Sequence, residues 1–215
     1  MDIRDSGPRG AMPRLRILLA SSNPGKLREY RELAAGAALE IELMPDFRGL
    51  PPFEESAPTF AENGAGKALH YSRFTQEIVL ADDSGLVVPA LGGRPGVHSA
   101  RYAGPGASDA DCVRKLLREM RGTEGNHRRA RFVCVIALAR QGRALAVVSD
   151  FAEGVLASEP RGTNGFGYDP VFCFSDTGRT YAEASPEEKG LTSHRGKAFR
   201  KIRDVFSPLN YSPLS

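Results

Sequence analysis

The sequence has no tryptophan, only three cysteines and almost no excess of either charge. Cys112, Cys134 and Cys173 are an odd set without metal-ligand spacing, which argues against a disulfide scaffold and indicates reduced, mostly packed thiols. The 29 lysines and arginines against 26 aspartates and glutamates leave a net charge of +3, which does not favour a dedicated nucleic-acid binder. No apolar segment approaches the roughly 20 residues that cross a bilayer, so we expect a soluble, cytoplasmic protein.

Both ends of the chain lack the patterns of folded elements. Residues 1–13 are polar and contain Gly7, Pro8, Gly10 and Pro13, without the apolar region of a signal peptide. We therefore predict a disordered N-terminal extension. Pro208 is expected to end the last helix, and residues 208–215 are expected to form a loose C-terminal tail.

Between the two ends, helical and strand patterns alternate, which is typical of the α/β class. The predicted strands are 14–20, 38–44, 79–81, 132–139, 144–151, 154–156 and 171–174. The predicted helices are 26–33, 60–74, 108–120 and a last helix that opens at residue 193. Strands 132–139 and 144–151 are expected to pair as a hairpin.

Two adjacent aspartates, Asp82 and Asp83, follow the apolar residues 79–81 and precede Ser84 and Gly85. Strands of α/β proteins place their ligand chemistry at the carboxyl end, so a substrate is expected to meet charged residues here. Neighbouring side chains on an extended backbone point to opposite faces, so both carboxylates serve one site only where the chain turns, and Gly85 permits a turn. The same residues also fit an ordinary solvated turn.

The segment 21–26 (SSNPGK) joins the first strand to the first helix. Ser22 or Asn23 can cap this helix, and Pro24 suits its first turn. Backbone N–H groups, the positive helix end and Lys26 would then face a phosphate. The glycine spacing of a Walker A loop is absent, and an ordinary strand–turn–helix with a surface lysine fits the same residues.

Carboxylates and cations elsewhere in the chain could complete such a site. Glu55, in a proline- and acid-rich loop, and Asp83 could together hold Mg²⁺, which prefers oxygen ligands. Lys26, Lys189 and Arg195 could neutralise phosphate charge. Lys189 follows two glutamates, however, and also fits a solvated charged face.

Two aromatic residues in a glycine-rich loop, Phe166 and Tyr168, could stack on a purine ring. Taken separately, these rings also fit ordinary packing, and His194 fits a structural histidine. Composition and periodicity alone therefore lead no further than an α/β nucleotide-binding enzyme.

The order and spacing of seven motifs resemble one family. They are 21–26 with Glu29, 60–64 (FAENG) with Lys67, 81–86 (ADDSGL), 91–93 with Pro95-Gly96, 99–102 (SARY), 165–170 (GFGYDP) and 193–196 (SHRG). Over nearly the whole folded chain, the sequence resembles the non-canonical purine NTP pyrophosphatases, the inosine triphosphatase-like or HAM1-like enzymes.

The resemblance implies an enzyme that uses Mg²⁺ to hydrolyse ITP, dITP and XTP to the monophosphate and pyrophosphate. It also implies a homodimer whose subunits each form a single two-lobed domain, here residues 14–207. Each domain would have a long mixed β-sheet flanked by helices, with the nucleotide in the cleft between the lobes. Asp83 would be the general base and a metal ligand, Glu55 the other ligand, and Asp82 at most a helper to the metal.

The matching motifs also imply how the substrate is bound. The phosphates would be bound by Ser21, Ser22, Asn23, Pro24, Gly25 and Lys26, with Lys67 assisting from its helix. The base and sugar would be held by Phe166, Gly167, Tyr168 and Asp169, and Ser84 would touch the substrate. Recognition of the purine would be completed by Lys189, His194 and Arg195. The 6-oxo group of such a purine accepts hydrogen bonds from protein donors, whereas the 6-amino group of adenine cannot satisfy those donors.

Several alternatives stay open. A related pyrophosphatase could act on other modified or pyrimidine nucleotides, or the chain could be a regulatory module that binds nucleotide without catalysis. A nucleic-acid binder would use the basic cluster 128–131. The metal glutamate is ambiguous between Glu54 and Glu55, and we favour Glu55 because it aligns with the family's acid upstream of Phe60.

Overall fold

The computed structural model of the protein describes residues 14–174 and 178–205, so the predicted N-terminal extension and C-terminal tail lie outside the described residues. The strands are β1 (Leu15–Leu19), β2 (Leu39–Leu43), β3 (Ile78–Val87), β4 (Arg129–Arg140), β5 (Arg143–Leu156) and β6 (Phe172–Cys173). The α-helices are α1 (Pro24–Ala34), α2 (Phe60–Tyr71), α3 (Asp109–Glu119), α4 (Pro186–Thr192) and α5 (His194–Val205).

The six strands form one mixed sheet in the order β2-β1-β3-β4-β5-β6. β1 runs parallel to β2 and β3, whereas β4 is antiparallel to β3 and β5, and β5 to β6. The predicted α/β class with a long mixed sheet and flanking helices is confirmed.

Local sequence signals explain most of the element boundaries. The side chains of Asn23, Thr59 and Ser108 cap α1, α2 and α3 by accepting hydrogen bonds from the first free N–H groups of each helix. The predicted hairpin forms because Gln141 and Gly142 both adopt positive φ angles, of 51° and 76°, which a tight turn between β4 and β5 requires.

The predicted turn at the aspartate pair is wrong. β3 continues through it, and Asp82 and Asp83 pair with Ile136 and Val135 of β4. Glycine at position 85 instead allows Ser99 to pack closely against β3, because a Cβ atom on residue 85 would lie 2.4 Å from Ser99 Oγ.

Two predicted strands differ from the structure, and one helix was not predicted. The predicted strand 154–156 is the end of β5, and the predicted strand 171–174 is reduced to β6. Helix α4 was not predicted, although Ser185 and Glu188 form a capping box at its start.

Three buried clusters surround the sheet. One joins α1 and α5 to the sheet, around Tyr30 and Phe199, and a second lies under α2 on the opposite face. The third joins α3 to the far ends of β3 and β4 and to β6, around Leu116 and Phe172. Cys112, Cys134 and Cys173 are free thiols, of which the first two are buried. Among the described residues, no helix is long and apolar enough to cross a bilayer.

Candidate active site

A cavity of about 440 Å³ is lined by residues of the α2 cluster, such as Tyr71, and of the α3 cluster, such as Phe132. Its walls come from the β1–α1 turn, the loop before α2, the middle of β3, the start of α3, the loop before β6, α4 and the start of α5. It therefore collects side chains from segments that are far apart in the sequence.

Most of the predicted site residues line this cavity: Ser21, Ser22, Asn23, Lys26, Glu55, Lys67, Asp83, Ser84, Phe166, Gly167, Tyr168, Asp169, Lys189, His194 and Arg195. Pro24, Gly25 and Asp82 do not line it. Pro24 begins α1, and Gly25 lets Phe166 pack closely, since a Cβ atom on Gly25 would lie 2.6 Å from Phe166 Cδ1.

Asp82 is fully buried and bonded to two cations. Its Oδ1 lies 2.8 Å from Lys26 Nζ, and its Oδ2 lies 3.2 Å from Arg195 Nη2. Burial alone would raise the pKa of Asp82, but Lys26 and Arg195 lower it far below its usual value. Because both oxygens are paired with cations and Asp82 does not line the cavity, Asp82 does not fit the predicted role of a metal ligand.

Asp83 points to the opposite side of β3 and lines the cavity. Its Oδ2 accepts a hydrogen bond of 3.0 Å from Asn63 Nδ2. Burial raises the pKa of Asp83 to about 6, although the hydrogen bond from Asn63 acts to lower it. A carboxylate with a pKa near the working pH is suited to general-base catalysis.

Glu55 lies in the loop before α2, and its side chain is paired with Lys67. The distance between Lys67 Nζ and Glu55 Oε1 is 2.6 Å, and Arg101 Nη2 donates a hydrogen bond of 3.0 Å to the Glu55 carbonyl. Burial of Lys67 acts to lower its pKa, but Glu55, Asp82 and Asp83 together outweigh burial, so the pKa of Lys67 is raised. Glu54 is exposed and does not line the cavity, which favours Glu55 as the glutamate of the site.

The donor set fits one Mg²⁺ ion shared with a substrate. Within the described ranges, no group of three or more His, Cys, Asp or Glu side chains could hold a metal ion. Mg²⁺, however, is commonly bound by one or two carboxylates together with substrate phosphates and water. Glu55 and Asp83 in the same cavity meet this requirement.

The predicted phosphate-binding turn differs in one respect from expectation. The N–H groups of Gly25 and Lys26, which were expected to face a phosphate, both donate to Asn23 Oδ1, at 2.8 and 3.2 Å. Ser21, Ser22 and Lys26 still line this wall. Any anion held here would meet the lysine and the serine hydroxyls.

At the other end of the cavity, Glu29 joins two of the predicted purine-binding residues. Its two carboxylate oxygens lie 2.5 Å from Lys189 Nζ and 2.5 Å from Arg195 Nη1. Lys189 also pairs with Asp169. Burial would raise the pKa of Glu29, but Arg195 and Lys189 lower it, so the carboxylate stays charged. Arg195 further donates to Ser84 Oγ at 2.9 Å.

Aromatic rings complete this end. The His194 ring stacks on Phe132 with a centroid distance of 4.6 Å and an interplanar angle of 6°. Burial, reinforced by Arg195 and Lys189, lowers the pKa of His194 well below its usual value, so the ring is neutral. His194 Nδ1 has no hydrogen-bond partner in the part of the chain that the structure describes. The Phe166 ring lies under Lys189, 5.1 Å from Nζ.

Sequence reasoning did not select several residues that line or support the cavity: Glu29, Phe53, Asn63, Ser99, Arg101, Asp109 and Phe132. Glu29, Asn63, Ser99 and Arg101 lie inside the motifs already recognised, so their positions could have been noticed. Phe53, Asp109 and Phe132 carry no such signal. The alternative nucleic-acid cluster is engaged elsewhere, since Arg128 donates to backbone carbonyls such as that of Leu156 and Arg131 pairs with Glu153.

A larger depression of about 780 Å³ lies behind Glu29 and Lys189, among α1, α4 and α5. Neither Asp83 nor Glu55 lines it. The smaller cavity, which contains both carboxylates, is therefore the candidate active site.

The chain is similar to known proteins over most of its length. The sequence model of the Ham1 family matches residues 17–205. A dITP/XTP pyrophosphatase from Geobacillus kaustophilus is 50% identical over 193 residues, which cover 90% of this chain and 95% of that protein. A second dITP/XTP pyrophosphatase, from Bacillus licheniformis, is 44% identical over 186 residues and covers 86% of this chain and 95% of that protein.

Solved structures of HAM1 proteins are also similar to this chain. A HAM1 protein from Coxiella burnetii has a TM-score of 0.77 and 44% identity, and the match covers 89% of this chain and 98% of that one. The Staphylococcus aureus Ham1 protein has a TM-score of 0.76 and 36% identity, with coverage of 88% and 97%.

Proposed function

Because this chain belongs to the Ham1 family, we propose that it hydrolyses the purine nucleoside triphosphates ITP, dITP and XTP to the monophosphate and pyrophosphate. The observation that carries the proposal is a single cavity that is lined by the carboxylates Glu55 and Asp83, by lysines and an arginine, by a neutral histidine and by aromatic rings. The curated relatives named dITP/XTP pyrophosphatases support the choice of substrate.

The phosphate end of the cavity holds charges of both signs. Lys26 and Lys67 approach it from α1 and α2, on either side of Asp83. Both lysines are paired with carboxylates, Lys26 with Asp82 at 2.8 Å and Lys67 with Glu55 at 2.6 Å. We propose that both lysines also interact with the triphosphate, because positive potential in a narrow cleft attracts an anionic substrate.

Asp83 is the proposed general base. As a carboxylate it would take a proton from the attacking water, whose oxygen bonds to one of the two phosphorus atoms joined by the α–β bridging oxygen while the bond from that phosphorus to the bridging oxygen breaks, so that the monophosphate and pyrophosphate separate. Asn63 holds one carboxylate oxygen, at 3.0 Å, so the group has a fixed orientation. Glu55 and Asp83 would hold Mg²⁺, which would supply charge neutralisation and acidify a bound water.

The base end provides hydrogen-bond donors for a 6-oxo purine. Arg195 has only donors, and a neutral His194 offers one donor and one acceptor. A 6-oxo group accepts from such donors, whereas the amino group of adenine leaves them unpaired. Phe166 lies beside them and provides a face on which a purine can stack.

The outer face of β5 favours a homodimer. Leu145, Val147, Phe151 and Val155 lie on one face of the strand, with Ser149 and Glu153 between them, and each of the four is 38–48% exposed. β6 pairs with β5 only at Val155 and Leu156, so most of this strand has no further strand beside it within the described residues. An exposed apolar strip of this kind is typical of an interaction surface, and we propose that a second copy covers it.

The test is pyrophosphate release from ITP, dITP, XTP, GTP, ATP and dTTP under the same conditions with Mg²⁺. We expect kcat/KM for the first three to exceed that for ATP and dTTP by about 100-fold or more, since unpaired polar groups in the base pocket reject the wrong base. Preference for dTTP would instead support the pyrimidine alternative. ITP binding without pyrophosphate release from any substrate would support a silent nucleotide-binding module. A cytoplasmic location fits a substrate drawn from the nucleotide pool.

A further inference from the structure

Asn63 lies in the first part of α2 and is only 1% exposed. Its amide makes three hydrogen bonds. Nδ2 donates to Asp83 Oδ2 at 3.0 Å and to the Ala57 carbonyl at 3.2 Å, and Oδ1 accepts from the Ala57 N–H at 3.0 Å. The orientation of the amide follows from these partners, because a carboxylate and a carbonyl can only accept while the Ala57 N–H can only donate.

These bonds join two separate parts of the site. Asp83 belongs to β3, whereas Ala57 lies two residues after Glu55 in the loop before α2. Lys67 lies four residues after Asn63 on the same face of α2 and holds the Glu55 side chain. α2 therefore fixes the Glu55 loop at two points and Asp83 at one.

The helix itself does not require asparagine at this position. Thr59 already caps α2 by accepting a hydrogen bond from the Glu62 N–H, and the Asn63 N–H donates to the Thr59 carbonyl as any residue would. Asparagine is also a weaker helix former than leucine or alanine. A buried amide whose side-chain hydrogen bonds all go outside its helix points to a role in holding those partners.

We propose that Asn63 is a positioning residue that sets the relative placement of the Asp83 and Glu55 carboxylates, holding the first directly and the second through the backbone of Ala57. The inference rests on the proposed function, in which these two carboxylates share a metal ion. Residues that orient metal ligands typically change metal affinity or activity by about 10–100-fold when they are removed.

The experiment compares the wild type with Asn63→Ala and Asn63→Leu. The leucine variant keeps most of the buried volume but loses all three hydrogen bonds, so it separates positioning from space filling. Asn126→Ala is the control, because Asn126 is exposed in the turn before β4. Thermal unfolding confirms that each variant is folded.

The first readout is the Mg²⁺ concentration that gives half-maximal pyrophosphate release at saturating ITP. We expect it to rise about 10-fold or more in both Asn63 variants and to stay within about 3-fold of wild type in Asn126→Ala. The second readout is hydrogen exchange at the Ala57 amide in protein without metal or nucleotide. It should be faster in both Asn63 variants, because Oδ1 is the acceptor that protects this amide.

Wild-type Mg²⁺ dependence in a folded Asn63→Leu variant would overturn the inference, as would unchanged exchange at Ala57. If one variant does not fold, the other decides between these outcomes. If neither folds, Asn63 is required for folding and the positioning role is rejected. Absence of ITP hydrolysis by the wild type would reject the proposed function instead, and the exchange measurement would still report whether Asn63 holds the loop.

Discussion

Asp82 and Asp83 are neighbours on β3, yet they belong to two different hydrogen-bond networks on opposite sides of the strand. Asp82 is bonded to Lys26 and Arg195, and Asp83 accepts a hydrogen bond from Asn63. The first network keeps the pKa of Asp82 far below its usual value, whereas burial raises that of Asp83 to about 6. Two identical side chains therefore acquire different properties from their surroundings: a permanent charge and a candidate base.

The raised pKa of Asp83 predicts a pH-dependent effect of Asp83→Asn on stability. Between the usual pKa of 3.8 and about 6, the unfolded chain releases this proton while the folded protein retains it, so folding becomes less favourable as the pH rises. At pH 8 the variant should be more stable than wild type by up to about 3 kcal/mol in the absence of metal. The gain should vanish near pH 3.5.

Urea unfolding of the metal-free proteins at both pH values measures this difference. Equal stability of the two proteins at pH 8 would show that the Asp83 carboxylate is well solvated in the folded state.

Glu29 should be important for stability, because it is buried between Lys189 and Arg195. Glu29→Gln removes the negative charge and leaves both cations less compensated, which typically costs about 3 kcal/mol or more. Glu32→Gln, at an exposed position on the same helix, should change stability by less than about 0.5 kcal/mol. Chemical denaturation compares the two variants. A Glu29→Gln variant as stable as Glu32→Gln would contradict the buried network.

The two neighbouring glutamates offer a matched test of the metal site. Glu55→Gln should raise the Mg²⁺ concentration needed for half-maximal activity by about 10-fold or more, since it removes a charged oxygen ligand. Glu54→Gln should leave it nearly unchanged, because Glu54 is exposed outside the cavity. Titration of activity with Mg²⁺ at fixed ITP measures both, and the reverse pattern would assign the metal to Glu54.

The exposed strip on β5 predicts that Phe151→Asp weakens self-association. A charge at the centre of an apolar interface is costly to bury, so the variant should sediment as a monomer at concentrations where the wild type is a dimer. Leu191→Asp is the matched control, because Leu191 is 62% exposed on α4, away from this strip. Monomeric wild-type protein, or a Phe151→Asp dimer of unchanged stability, would reject β5 as the interface.

Much of the fold could be predicted because local signals marked its elements. The caps Asn23, Thr59 and Ser108 and the turn at Gln141-Gly142 act over a few residues, so they are readable without tertiary information. The turn predicted at Asp82-Asp83 was wrong for the opposite reason. Asp, Ser and Gly favour turns locally, but pairing with β4 holds them in a strand, and Lys26 and Arg195 compensate the charge of the buried Asp82.

The individual residues of the candidate site could be predicted from the sequence, but the hydrogen bonds and ion pairs between them could not. Motif matching selected Lys26, Asp83 and Arg195, and the structure brings all three to one cavity. Motif matching gave no indication that Glu29 links Lys189 to Arg195, or that Asn63 links Asp83 to the Glu55 loop. Such links depend on contacts between residues up to 166 positions apart, which spacing along the chain does not reveal.

The most direct test of the central claim is pyrophosphate release from ITP with Mg²⁺ by wild type and Asp83→Asn, measured from pH 5 to pH 9. The account predicts that the wild type loses activity at acidic pH, where Asp83 takes up a proton, and that bound Mg²⁺ moves this loss below the pH of about 6 at which the metal-free carboxyl titrates. It also predicts that the folded variant is slower by about 100-fold or more throughout, as expected when a general base is removed. Wild-type turnover by Asp83→Asn would contradict the role assigned to Asp83.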